Sequence, residues 1–260
     1  MLKKFNLHNK FALVTGAGGL LGYEHSYALL EAGSNLIITD INIKNLNKNY
    51  IKLKKKFKNK IIIKRKMNIT SENSIYACKK FLLKKKIHTS ILINNASFNP
   101  QPNDLKKSLL ETYSLKKWNS EINIGLTGAF LCSKIFGSEM VKKKLGGVIL
   151  NISSDLSVIS PDNRLYNSSK EIKRAKPISY PVIKSGINGL TRYLSTYWAS
   201  KKIRCNSISP GGVENNQEPE FLKKITNLIP LGRMAKKEEY RSAIQFLCSD
   251  ASSYMTGQNL

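Results

Sequence analysis

Short aliphatic and β-branched runs alternate with longer helical patterns along almost the whole chain. FALVT starts at Phe11, NLIITD covers 35–40, KIIIKRKM 60–67, SILINN 90–95, GVILNIS 147–153 and IRCNSIS 203–209. Strands alternating with helices in this way predict a parallel sheet covered on both faces, an α/β doubly wound fold. The intervening helices are expected at 20–32, 43–57, 72–86, 104–142, 179–200 and 236–249. Neither a repeat nor a linker breaks the pattern, so 1–260 reads as a single domain.

Composition narrows this picture little, and charge narrows it more. A chain of 260 residues with 41% apolar residues, 16 Gly and 8 Pro can bury a large core, which excludes collagen-like, disordered and disulfide-stapled classes. Basic residues outnumber acidic ones 43 to 17, a formal charge of +26, and the runs Lys54–Lys56, Lys84–Lys86 and Lys142–Lys144 lie far apart without interleaved aromatics. A nucleic-acid groove needs Arg forks and stacking rings gathered on one face, so the lysines read as solvated surface, with no specific nucleic-acid partner.

The start MLKKFNLHNKFALVTGAGGLLG has two lysines before an apolar stretch, but Thr15 and Gly16 break it and no small-residue cleavage site follows. It reads as a strand and its turn. No uninterrupted apolar run approaches the roughly 18 residues of a membrane span, so no membrane partner is expected. Cys78, Cys132, Cys205 and Cys248 form no close pair and have no His cluster beside them, which signals neither disulfides nor a metal site. A cytoplasmic location is expected.

Candidate chemistry begins at Thr15. The stretch Gly16-Ala17-Gly18-Gly19-Leu20-Leu21-Gly22 follows a predicted strand and opens a predicted helix, the setting in which a glycine turn cradles a pyrophosphate on helix amides. Further along, Asp40 ends the second strand, followed by Ile41. A carboxylate there accepts from adenosine ribose hydroxyls and repels a 2′-phosphate, which favours NAD over NADP. A helix cap or turn residue is the plainer reading of Asp40.

Four further motifs follow in order: Asn94-Asn95-Ala96-Ser97, Asn151-Ile152-Ser153-Ser154, a Tyr-x-x-x-Lys pair, and Pro210-Gly211-Gly212-Val213. With the glycine turn, they make the chain resemble a short-chain dehydrogenase/reductase over nearly its whole length. The resemblance implies a Rossmann-type sheet, a nicotinamide cofactor and a Ser-Tyr-Lys group. It implies a cofactor half over about 1–150, a catalytic and substrate half over about 151–260, and a homotetramer or homodimer packed through the 104–142 and 179–200 helices. Asn95, Ala96 and Ser97 are then expected along the cofactor. Val213, after Pro210 and Gly211, would offer its amide to the carboxamide, while Asn68 and Ile69 would stand at the adenine.

Two Tyr-x-x-x-Lys pairs compete, Tyr166/Lys170 and Tyr180/Lys184. The first lies nearer the family's usual distance from Ser154. The second leads without a gap into SGINGLTRYLSTYWASKKIRCNSISPGG, which resembles the family's long helix, sixth strand and Pro-Gly turn, so Tyr180 and Lys184 are chosen. Four residues apart on a helix, they share a face, and Pro181 is tolerable near the helix start. In the implied roles Tyr180 is the general acid/base, Lys184 lowers its pKa and holds the nicotinamide ribose, and Ser154 bonds the substrate oxygen. Ser153 reads as structural.

Several features depart from the family. The glycine spacing Gly16-x-x-Gly19-x-x-Gly22 is that of the extended branch with its sugar-nucleotide epimerases. Gly125 stands where a catalytic Asn is usual, with Asn123 about 200° around the helix, so water or Asn123 is left to replace it. An inserted stretch, Pro161 to Pro177, carries Arg164, Arg174 and lysines toward the substrate side, which suits an anionic or heavily hydroxylated substrate. After Gly257 only Gln258-Asn259-Leu260 remain, so the seventh strand is expected to be short or missing.

The insertion, the Gly-Gly-Leu-Leu-Gly turn, GLTRYLSTYWA and PGGVENNQ followed by IPLGRMA make the chain similar to the flagellin-modification protein A group. That similarity implies a sugar or sugar phosphate substrate in surface-glycan biosynthesis. The expected function is an NAD(H)-dependent oxidoreductase that interconverts a secondary alcohol and a ketone. Two readings compete with it, a cofactor-binding protein with little turnover and an extended-type epimerase or dehydratase.

Overall fold

In a computed structural model, which describes residues 3–98, 108–167 and 171–260, six strands form one parallel sheet. They are β1 (Phe11–Thr15), β2 (Asn35–Asp40), β3 (Ile62–Lys66), β4 (Ile91–Asn94), β5 (Gly147–Ile152) and β6 (Ile203–Ile208), in the order β3-β2-β1-β4-β5-β6. β1, β2, β4 and β5 carry consecutive apolar residues because both their faces are buried, whereas the edge strand β3 turns basic after Ile63 and β6 carries Arg204, Asn206 and Ser207. Ala12, Val14, Leu36 and Ile38 join one core cluster, while Leu13, Ile37, Leu92 and Ile149 join the other.

The helices divide between these faces. On the first, α1 (Leu20–Glu31), α2 (Ile43–Lys56) and α7 (Arg241–Cys248) contribute Leu29, Leu53 and Leu247; on the second, α3 (Glu72–Lys84), α4 (Leu115–Lys143) and α5 (Ser179–Tyr197) contribute Leu82, Phe136 and Leu194. Strand order reverses between β1 and β4, and a crevice opens beyond their carboxyl ends, where open α/β sheets bind ligands.

The helix expected from 104 starts later, at Leu115, because the Ser114 hydroxyl caps it by accepting from the Lys117 amide at 3.2 Å. Part of that expectation, 104–107, lies outside the described residues. Two π turns, Asn123–Thr127 and Ser133–Gly137, interrupt α4. By length and composition α4 could cross a membrane, but 56% of its apolar window is buried against the protein, as befits the central helix of this core. The pattern over 236–249 resolves into a 3₁₀ turn, Lys237–Tyr240, followed by α7.

One helix was not anticipated. α6 (Pro219–Thr226) starts on a proline, whose fixed φ suits the first helical turn, and has Glu220 near its positive end. The seventh strand is reduced to a parallel bridge: Ser207 donates its amide to the Gln258 carbonyl at 2.8 Å, and Leu260 donates to the Ser207 carbonyl at 3.0 Å. All four cysteines are buried free thiols.

Candidate active site

Beyond the carboxyl ends of the strands lies a cleft of about 1710 Å³. One wall is the glycine turn. Gly16 has φ +64°, which favours glycine, and a Cβ on Gly22 would lie 2.2 Å from the Gly16 carbonyl oxygen. Asn95 lines the cleft and also locks this turn: its side-chain amide donates to the Thr15 and Gly16 carbonyls at 2.9 and 3.1 Å. The amides of Asn95 and Ala96 both donate to the Thr15 hydroxyl at 3.1 Å. Asn95 therefore holds the turn with its side chain, a task that motif matching alone does not distinguish from lining the cleft with backbone.

The turn fits a dinucleotide. A Cβ at Gly19 would touch only the Gly16 carbonyl oxygen, at 3.4 Å, so the bare side of this glycine faces the cleft. Gly19 caps α1 without a side-chain hydrogen bond, which leaves the first amides of a 12-residue helix for an anion. Gly18 is placed differently from its neighbours: it does not line the cleft, and its amide donates to Asp40 Oδ2 at 2.9 Å. A Cβ there would meet the same oxygen at 2.9 Å. Asp40 Oδ1 accepts from the Asn42 amide at 2.8 Å, so the carboxylate is fixed at the rim beside exposed Ile41.

Leu21, Asn68, Ile69, Ala96, Ser97, Pro210, Gly211 and Val213 also line the cleft. Asn68 Oδ1 is spent within its own turn, accepting from the amide and hydroxyl of Thr70 at 3.0 and 2.9 Å. Only its amide nitrogen is left to face a ligand. Gly211 donates its amide to the Tyr240 hydroxyl at 3.0 Å, and the Val213 carbonyl accepts from Gln217 at 2.7 Å.

Ser154 follows β5 and caps a short 3₁₀ turn, Asp155–Ser157. Its hydroxyl donates to Asp155 Oδ1 at 2.7 Å and accepts from the Leu156 amide at 3.3 Å. Ser153 points the other way and donates to the Lys184 carbonyl at 2.9 Å, which ties α5 to the sheet. Buried Glu121 of α4 accepts from the hydroxyls of Tyr113 and Ser179, which fixes the start of α5 beside Tyr180.

Lys184 is buried, and its ammonium donates to the Ile152 carbonyl at 2.9 Å while lying 5.6 Å from the centre of the Tyr180 ring. Burial pushes the Lys184 pKa down to about 8, helped by the charge of Lys176. Burial also raises the Tyr180 pKa, against a hydrogen bond with Ser154 that lowers it, and Asp155 adds to the rise. In this pocket the loss of water around the phenolate is the largest effect on Tyr180.

The competing Tyr166 also reaches the cleft, from the inserted stretch, with its ring stacked on Phe221 at 5.7 Å and its pKa raised to about 12 by burial. Its partner Lys170 lies outside the described residues, as do 168–169. Asn167 organises the described part of the insertion. Its Nδ2 donates to the Asn163 and Arg174 carbonyls, each at 2.8 Å, and its Oδ1 accepts from the Lys173 and Arg174 amides, each at 2.9 Å.

Gly125 faces Ile183 of α5: a Cβ on the glycine would lie 2.6 Å from Ile183 Cγ2. Ile183 fills the space a larger residue would need. Asn123 does not replace the missing asparagine, because the π turn sets it on the exposed side while Ile124 lines the cleft. Lining residues that the sequence reading did not name as parts of the site include Asp155, Lys176 and Tyr240. Asp155 adjoins Ser154 in sequence, a signal available from the start; Lys176 is one of the three lysines of the insertion expected on the substrate side, with nothing in the sequence to single it out.

With this geometry in hand, comparison with known proteins is informative. A family model described as enoyl-(acyl carrier protein) reductase matches residues 16–260. The chain is 31% identical over 261 residues to a 3-oxoacyl-[acyl-carrier-protein] reductase of Buchnera aphidicola subsp. Schizaphis graminum, covering 98% of this chain and 96% of that one. It is 29% identical over 254 residues to the post-translational flagellin modification protein A of Campylobacter coli, covering 98% and 96%. A short-chain type dehydrogenase/reductase from Mycobacterium marinum has the same fold, with a TM-score of 0.84 at 24% identity, covering 100% of this chain and 95% of that one.

Proposed function

The chain belongs to the short-chain dehydrogenase/reductase family, and from that premise we propose that it is an NAD(H)-dependent oxidoreductase acting on a sugar or sugar phosphate. Membership carries the coarser part, interconversion of a secondary alcohol and a ketone with a nicotinamide cofactor. The observation that carries the rest is the convergence of Ser154 from β5 with Tyr180 and Lys184 from α5 in one cleft whose opposite wall is the Gly16–Gly22 turn.

In this reading Gly19, Leu21 and the amides at the start of α1 hold the pyrophosphate, and Asp40 holds the adenosine ribose. Asp40 supports NAD, since a carboxylate already fixed by the Gly18 and Asn42 amides meets a 2′-phosphate with repulsion. Ala96, Ser97, Pro210, Gly211 and Val213 flank the nicotinamide half, with Asn68 and Ile69 at the adenine. Lys184 binds the nicotinamide ribose. The bound nicotinamide supplies or accepts the hydride. Tyr180 donates its phenolic proton to the ketone oxygen during reduction, and Ser154 holds that oxygen. The phenol suits this role, because a pKa raised by burial keeps the proton in place at neutral pH.

A sugar-like substrate is supported by the flagellin-modification relative and by the polar, charged insertion over the cleft. A cytoplasmic homo-oligomer packed through α4 and α5 completes the reading. The test is fluorescence titration with NADH and NADPH, followed by a panel of keto-sugar phosphates and an acetoacetyl thioester. Tighter NADH binding and oxidation by a keto-sugar support the proposal. Turnover of the thioester alone replaces the sugar with an acyl-carrier substrate, and no binding of either nucleotide by folded protein sinks the oxidoreductase reading.

A further inference from the structure

The cations around the substrate side of the cleft are nearly all neutralised by the protein itself. Arg164 pairs with Asp162 at 2.7 Å, Lys173 with Glu171 at 3.0 Å, Arg174 with Glu218 at 3.8 Å, Lys224 with Glu220 at 2.9 Å and Arg233 with Glu239 at 2.6 Å. The two arginines that made the insertion look basic are therefore already spoken for. Lys184 is buried, donates to the Ile152 carbonyl, and has its remaining N–H bonds assigned to the nicotinamide ribose in the reading above.

Lys176 is different. It comes from the end of the insertion, lines the cleft, and rests its ammonium 4.3 Å from the centre of the Tyr180 ring. Among the described residues its ammonium makes neither a hydrogen bond nor an ion pair, although an ammonium has three N–H donors and a ring face satisfies at most part of that capacity. The nearby carboxylate that acts on it electrostatically is Asp155, whose Oδ1 is already engaged by the Ser154 hydroxyl and the Leu156 amide. Lys176 also acts on the Lys184 ammonium, so two ammonium groups crowd the Tyr180 end of the cleft, where Asp155 is the carboxylate acting on Lys176.

We propose that Lys176 is the anion-binding residue of this cleft, receiving a carboxylate or phosphate group that the substrate carries near the carbon whose oxygen Tyr180 serves. The inference deepens the oxidoreductase reading and rests on it for the position of the reacting carbon. Burial pushes the Lys176 pKa down to about 8 against the smaller opposing pull of Asp155, and an incoming anion relieves that cost. The arrangement also explains why a lysine can sit against the catalytic tyrosine without an acidic partner of its own, since the partner arrives with the ligand. A neutral polyol gives this ammonium nothing comparable.

The test is calorimetric titration of the full-length protein, with and without saturating NADH, using malonate and inorganic phosphate as probes at constant ionic strength set with chloride. The wild-type protein is expected to bind at least one probe at a single site. Lys176→Met weakens it tenfold or more, Lys176→Arg retains it, and Arg164→Met leaves it unchanged. Affinity falls as pH rises through 8. A preference for phosphate assigns a phosphorylated substrate, and a preference for malonate assigns a sugar acid or related carboxylate. Equal binding by wild type and Lys176→Met overturns the proposal, and so does wild-type protein that binds neither probe above chloride. NADH binding is read separately in the same samples, so loss of the oxidoreductase reading and loss of the anion site are distinct results. If Lys176→Met does not fold, the Lys176→Gln variant supplies the comparison.

Discussion

Ile183 occupies the space beside Gly125, with its Cγ2 only 2.6 Å from where a Cβ on the glycine would stand. The two residues face each other across the α4–α5 contact, one position before Lys184. A short-chain enzyme that lacks the usual asparagine at this place therefore lacks the room for it as well. Gly125→Asn is expected to destabilise the protein by about 1–3 kcal/mol through overpacking, and to leave turnover no faster. Thermal unfolding and steady-state rates on the same samples check this. A gain in rate without loss of stability would show that Ile183 yields.

Asp40 carries a separate expectation. Asp40→Ala removes both the partner of the Gly18 amide and the carboxylate offered to the ribose. NADH affinity should fall about tenfold, in line with about 1.4 kcal/mol for a lost charge-assisted bond, while NADPH affinity falls less or rises. Titration of the two nucleotides in parallel reads the ratio directly. An unchanged ratio would assign Asp40 to the turn alone.

Tyr180 and Lys184 set the pH behaviour. Tyr180→Phe should keep NADH binding within a factor of about two and lower ketone reduction by about 10²–10⁴, the usual worth of a positioned proton donor. For the wild type, the Lys184 ammonium titrates near 8 while the phenol stays protonated to higher pH. The kcat/KM for reduction is thus expected to be flat below pH 8 and to fall above it. A profile still rising at pH 9 would contradict the role given to the ammonium.

His25 makes stability depend on acid. It is buried on α1 beside Asn95, and burial pushes its pKa down to about 4 from 6.5. A depressed pKa on a base means the unfolded chain binds the extra proton first, so stability is full above about 6.5 and declines as pH falls toward 4. Between pH 7 and pH 5 this one group removes about 2 kcal/mol. Urea unfolding at the two pH values, repeated on His25→Gln, isolates the effect as the difference in slope between the two proteins.

How much of this was legible in the sequence depends on whether the signal was local. The strands β1, β2, β4 and β5 were, because burial on both faces makes each a stretch of consecutive apolar residues, while β3 and β6 showed as shorter β-branched stretches within the strand–helix alternation. The helix starts were harder: Ser114 is a plain cap signal, but it lies after a stretch polar enough to pass for helix surface. Asn123 stands about 200° from Gly125 on a regular helix, and its exposed position on the π turn agrees with that placement on the far side. The motif residues Gly16–Gly22, Asp40, Ser154, Tyr180 and Lys184 were each found from short patterns, and folding brings them to one cleft. Asn95 lines the cleft as expected and its side chain has the added task of holding the turn, while Gly18 stands behind the cleft with its amide on Asp40. Lys176 could not be singled out from the other lysines of the insertion, because its distinction is an ammonium with neither a hydrogen bond nor an ion pair among the described residues, and that is a property of the folded neighbourhood alone.

The four buried thiols turn the protein into its own unfolding reporter. Cys78, Cys132 and Cys205 lie in the core on one face of the sheet and Cys248 in the core on the other, and burial raises every thiol pKa, to about 11 at Cys78 and about 12 at Cys205 and Cys248. A thiol reagent should find almost no thiolate in the native molecule, so each labelling event records an opening. Mass-resolved labelling in rising urea then reads which layer of helices leaves the sheet first, with no probe introduced and no residue changed. Simultaneous labelling of Cys248 and the other three would mean that the two layers come apart as one.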